Sequence, residues 1–144
     1  MKGFTLLEVL LSIAIISGMA AFSIPVYQSF QVKNDLDLAV SKTIQTLGRA
    51  QMLSQGVDGD VTWGIKIQTG SITLFKGISF NTRDVSFDEI SVISQSITLA
   101  PLSLNEIIFN KLSGEPQSQG TITLTSTNNE TKTITINAKG FVSY

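Results

Sequence analysis

Met1-Lys2-Gly3-Phe4-Thr5-Leu6-Leu7-Glu8-Val9-Leu10-Leu11 opens the chain, and from Phe4 to Ile24 every residue is apolar or small except Glu8. A helix over residues 4–24 rises about 32 Å, enough to cross the hydrocarbon core of a bilayer. The stretch therefore reads as a membrane segment, and Glu8 is its anomaly. On insertion scales a carboxylate at the bilayer centre costs about 2.5–3.5 kcal/mol, so such residues usually face a partner rather than lipid. No other charge lies in the segment, so a fixed partner must come from elsewhere. One nearby source is a freed amino terminus. A cut between Gly3 and Phe4 would give Phe4 a positive α-amine, able to pair with Glu8 of a neighbouring copy.

Gly3-Phe4-Thr5-Leu6-Leu7-Glu8, followed by an uninterrupted apolar run, resembles the class III signal of type IV prepilins and pseudopilins. The resemblance implies a membrane-bound prepilin peptidase that cuts after Gly3 and N-methylates Phe4. Methylation keeps the amine's charge, so pairing with Glu8 survives it. Pro25 sits about where that family carries a proline, and the short leader keeps one basic residue, Lys2. Two plainer readings stand beside this one. An ordinary signal peptide would use Gly18-Met19-Ala20 as a small-x-small cleavage site, but Glu8 inside the apolar region and the run through Phe22 and Ile24 oppose it. The other is a simple membrane anchor.

The rest of the chain bounds the function. Its 144 residues carry a net charge of −1, with no cysteine and no histidine. No disulfide can staple the domain. The commonest general base and metal ligand is missing. No basic patch of the kind that binds nucleic acid is present. The reading is that the chain is not an enzyme and takes no cofactor. Residues 1–3 form a leader, 4–25 the transmembrane and assembly half of a helix, 26–56 its amphipathic half, and 57–144 a globular β domain.

Pro25 lacks an amide proton and clashes with the carbonyl four residues back, so it should kink or locally loosen the helix without ending it. Beyond it Leu36, Val40, Ile44, Leu47, Ala50 and Leu53 recur at spacings of four and three, one apolar stripe along a helix. Gly56 is the expected stop, closing the helix in the left-handed conformation.

After Gly56 the period becomes two. Val61, Trp63, Ile65 and Ile67 share one face of a first strand, and Ile72–Phe75 follow across the turn at residues 68–71. Residues 77–96 read as short strands and loop. Ile97–Leu99 and Glu106–Phe109 are expected strands. Residues 121–125 and 133–136 form the clearest hairpin, with threonine on one face and isoleucine or leucine on the other, as in an antiparallel sheet with one wet side. Gly140 turns the chain into a last short strand. Asp58-Gly59-Asp60 has the carboxylate spacing that begins some calcium loops, but the later ligand positions are missing, so the expectation is a polar turn and no metal.

Leu47-Gly48-Arg49-Ala50-Gln51, Trp63-Gly64-Ile65, the hairpin of residues 109–114 and the closing Gly140 are similar to the GspH/FimT group of minor pilins and pseudopilins. That resemblance implies an α+β, type IV pilin-like fold: a long N-terminal helix, transmembrane in its first half, packed on a C-terminal antiparallel β-sheet domain. It also implies a structural subunit, a minor one, of a type IV pilus or type II secretion pseudopilus. The implied partners are the peptidase, other pilin or pseudopilin subunits and an inner-membrane assembly platform. The implied location is the cytoplasmic membrane, single-pass, with the β domain outside the cytoplasm, and then a filament. Assembly would rest on Glu8 and Pro25. Some members of the group bind DNA through a C-terminal segment bearing arginine. Gly140-Phe141-Val142-Ser143-Tyr144 has none, so DNA binding is not carried across. The alternative function is an anchored surface module for DNA uptake or adhesion.

Overall fold

A computed structural model describes residues 3–56 and 60–143. Helix α1 runs unbroken from Leu6 to Gln55, with Pro25 inside it. It therefore continues through the proline, as the sequence suggests. From Leu36 onward the apolar stripe turns inward: Leu36, Ala39, Val40, Leu47 and Ala50 are buried, and Ile44 and Leu53 pack partly buried against the same core. The two buried threonines in this stripe bond back along the helix, Thr43 Oγ1 to the Ala39 carbonyl and Thr46 Oγ1 to the Lys42 carbonyl, both at 2.7 Å. Neither leaves a polar group stranded in the interface.

The β region divides into two four-stranded antiparallel sheets. Strands β1 (Trp63–Gln68), β2 (Ser71–Lys76), β3 (Asp84–Val92) and β5 (Glu106–Phe109) make the first, in the order β3-β2-β1-β5. Strands β4 (Ile97–Leu99), β6 (Gly120–Ser126), β7 (Thr131–Ile136) and β8 (Val142–Ser143) make the second, in the order β4-β6-β7-β8. The helix and both sheets share one core, with Ile65, Leu74 and Ile107 from the first sheet and Ile122, Leu124 and Ile134 from the second. The hairpins expected from the sequence are present. Gln68 pairs with Ser71 across the two-residue turn Thr69-Gly70, where Gly70 has φ +85°. In the second hairpin Thr125 pairs with Thr131. Its outer side carries Thr121, Thr123, Thr133 and Thr135, while Ile122, Leu124, Ile134 and Ile136 are buried.

Gly64 explains why a glycine follows Trp63. A Cβ there would stand 2.7 Å from the Ile107 carbonyl oxygen and 2.8 Å from the Phe75 ring, so strands and ring close on bare backbone.

Three expectations need correction. Residues 77–96 hold a single nine-residue strand, β3, after a short 3-10 turn at Phe80–Thr82. As an edge strand with a register shift opposite Leu74–Lys76, it is largely exposed on both sides and shows no period of two. At its start Asp84 accepts from the Ser86 hydroxyl at 2.5 Å and the Ser86 N–H at 3.1 Å, which holds its carboxyl below the usual range. Strand β1 begins at Trp63 rather than Val61. Gly56 does cap α1, but in the right-handed region, φ −71° and ψ −3°. The helix end is set by tertiary partners instead. Leu112 N–H donates to the Ser54 carbonyl at 3.1 Å, and buried Ser54 Oγ accepts from Trp63 N–H at 3.0 Å. Of the two carboxylates spaced like the start of a calcium loop, Asp60 is ion-paired with Lys111, and Asp58 lies outside the described residues. Among the described residues no group of three or more His, Cys, Asp or Glu could hold a metal.

Candidate processing and assembly segment

Gly3, Phe4 and Thr5 lie outside the helix, which begins at Leu6. Thr5 is its N-cap, with extended backbone at φ −83° and ψ 152°. Its hydroxyl accepts from Glu8 N–H at 3.3 Å, and its carbonyl accepts from Glu8 N–H at 3.1 Å and Val9 N–H at 3.2 Å. The Glu8 amide is one that a helix start leaves without a partner, and the Val9 bond is the first of the regular helical ladder. Thr5-Leu6-Leu7-Glu8 also has the spacing of a capping box, which sets the Glu8 carboxylate in the first turn, at the positive end of the helix dipole. Reading Glu8 only as an intruder in an apolar run misses this. The signal was present in the sequence as threonine followed three positions later by glutamate.

Glu8 is exposed and belongs to none of the five ion pairs among the described residues. Phe4 is 83% exposed. From Leu6 to Phe30 no side chain of α1 is buried, and the helix is long and apolar enough to cross a membrane. Pro25 is not brought near the Gly3–Glu8 cluster. It sits about 26 Å further along the helix axis than Glu8. There it borders an open groove of about 860 Å³ between the helix and the loops carrying Ser94, Ser96 and Asn128. The segment thus has two separate parts: an extended, capped junction at one end and, at Pro25, a proline inside the continuous helix beside the groove.

Residues 1–23 match the family model described as the prokaryotic N-terminal methylation motif. The chain as a whole matches no curated protein and no solved structure. The motif covers the junction, Glu8 and most of the apolar run, and it supports a type IV pilin-like precursor. The α+β layout fits that fold.

Proposed function

We propose that the protein is a structural subunit, a minor one of the GspH/FimT kind, of a type IV pilus or type II secretion pseudopilus. The observation that carries this reading is the bare half of α1. It exposes a long apolar surface interrupted by a single carboxylate, four residues beyond a Gly-Phe junction inside a methylation motif. A surface apolar all round fits lipid or other helices, not water.

In this reading the segment serves two environments in turn. The apolar half holds the precursor in the cytoplasmic membrane, with the β domain outside the cytoplasm. A prepilin peptidase cuts after Gly3 and methylates the Phe4 amine. The freed amine of one copy then meets Glu8 of the next, where a low dielectric strengthens the attraction, while the bare helices pack together in the filament. Pro25, lacking one helix hydrogen bond, lets the helix adjust as subunits pack. The protein's part is structural, without catalysis of its own.

Intact-mass measurement of the protein extracted from membranes of a prepilin-peptidase-positive bacterium tests this. The expected chain begins at Phe4 and carries one methyl group. An uncut Met1, or an N-terminus near Ala21, overturns the reading.

A further inference from the structure

We infer that Thr5 is a positioning residue for cleavage, because its cap stops the helix short of the Gly3–Phe4 bond and keeps that bond open to a peptidase. The inference rests on the prepilin reading and adds a residue to it. Two observations meet here. Thr5 caps α1 through its hydroxyl and holds extended backbone. Independently, the methylation-motif match over residues 1–23 brings an enzyme to this junction.

The chemistry requires access to one atom. Hydrolysis breaks the bond between the Gly3 carbonyl carbon and the Phe4 nitrogen. The hydroxyl of water goes to Gly3, which leaves as a carboxylate, and the proton goes to the Phe4 amine. Were the helix to start two or three residues earlier, the Gly3 carbonyl would accept from the Leu7 N–H in the ordinary helical pattern, and the bond would be wound into the first turn. Among the described residues none donates a backbone hydrogen bond to the Gly3 carbonyl. Thr5 fixes that boundary. Without a capping side chain nothing in Phe4-Thr5-Leu6-Leu7 stops the apolar helix from starting earlier, since Gly3 itself is an acceptable N-cap. A cap of this kind shifts the balance of helix starts by about 5- to 30-fold.

The test is a substitution series at position 5 in the full chain, expressed in membranes containing the prepilin peptidase. Cleavage rate and hydrogen exchange of the Glu8 amide are read on the same samples. Thr5→Val keeps the shape and the apolar character needed for insertion but has no acceptor. Thr5→Ser and Thr5→Asn keep an acceptor with different shapes. The expected result is that Val slows cleavage by about 5- to 30-fold and speeds Glu8 amide exchange, while Ser and Asn stay within about twofold of wild type on both readouts, as their N-cap ranking implies. Valine cleaved at the wild-type rate despite faster Glu8 exchange overturns the inference and leaves the prepilin reading standing. Serine and asparagine as slow as valine also overturn it, because the peptidase would then be reading the shape of threonine. Wild-type protein left uncut removes the prepilin reading and this inference together.

Discussion

From Leu6 to Phe30 helix α1 buries no side chain, whereas between Leu36 and Ser54 it buries eight, yet both stretches belong to one continuous helix, with only the Pro25 amide bond missing. Helical geometry therefore does not distinguish the halves; what surrounds the side chains does. In the first half the apolar residues go all the way round, so no single face can satisfy them. Only lipid or several neighbouring helices can. In the second half most are gathered on one face, with Lys33, Asp37 and Arg49 elsewhere and only Leu38 and Met52 left exposed beside them, so two sheets suffice. One half is unfinished as an isolated molecule and the other is complete. That contrast makes definite claims about what each half contributes.

Removing the bare half should have the largest effect on behaviour and the least on fold. A fragment beginning at Gln28 loses the surface with no partner inside the molecule and keeps every buried residue of the core. It should be soluble and mostly monomeric, with circular dichroism of mixed helix and strand and a cooperative melt. Aggregation, or a disordered spectrum, would break the contrast by showing that the domain needs its anchor in order to fold.

A single leucine makes the same contrast quantitative. Leu47 is completely buried between helix and sheets, and Leu47→Ala should lower stability by about 2–5 kcal/mol, through lost transfer energy and a cavity that relaxes only in part. Leu11→Ala removes the same atoms from a residue 60% exposed. In full-length protein held in detergent micelles it should leave the denaturant midpoint of the β domain unchanged. Equal shifts from the two substitutions would mean that the halves unfold as one unit.

The contrast also separates what the sequence could disclose from what it could not. Helix, stripe and both hairpins were legible because each is a local period, 3.6 or 2, written in neighbouring residues. The Gly3–Glu8 junction was legible as a motif, and Pro25 as a point the helix passes through. What the sequence does not disclose depends on distant partners. Ile97–Leu99 and Glu106–Phe109 are close in sequence yet join different sheets, because β4 pairs with β6 and β5 with β1. Strand β3 lies largely exposed at an edge, and its apolar alternation slips phase between Phe87 and Ile90, so no single period of two marks it. Gly56 predicts the helix stop through left-handed backbone freedom, but it caps in the right-handed region, and the last turn is held from Trp63 and Leu112 through Ser54, contacts no local window contains. The polar cap on Glu8 was local and could have been read. The apolar run around it drew attention to its charge instead of its spacing.

The smallest effect concerns the polar side of the packed half, where ion pairs invite more weight than they carry. Arg49 Nη2 meets Glu89 Oε1 at 2.6 Å, tying α1 to β3. Both side chains are more than half exposed, at 59% and 51%, so water and salt screen the attraction, and ordering two long side chains offsets much of what remains. Exposed pairs of this kind contribute about 0.2–1 kcal/mol. Arg49→Ala should therefore shift stability by no more than about 1 kcal/mol, and the shift should shrink further in high salt. Arg49 also borders the slot beneath Phe87 and Trp63, so Arg49→Met is the cleaner substitution. It keeps the apolar stem that covers the slot and removes only the charge. If methionine matches wild type while alanine does not, the stem contributes by packing and the pair adds nothing measurable. A loss several-fold larger from methionine, insensitive to salt, would instead show that electrostatics fasten β3 to the helix. The packed half would then differ from the bare half by more than buried apolar surface.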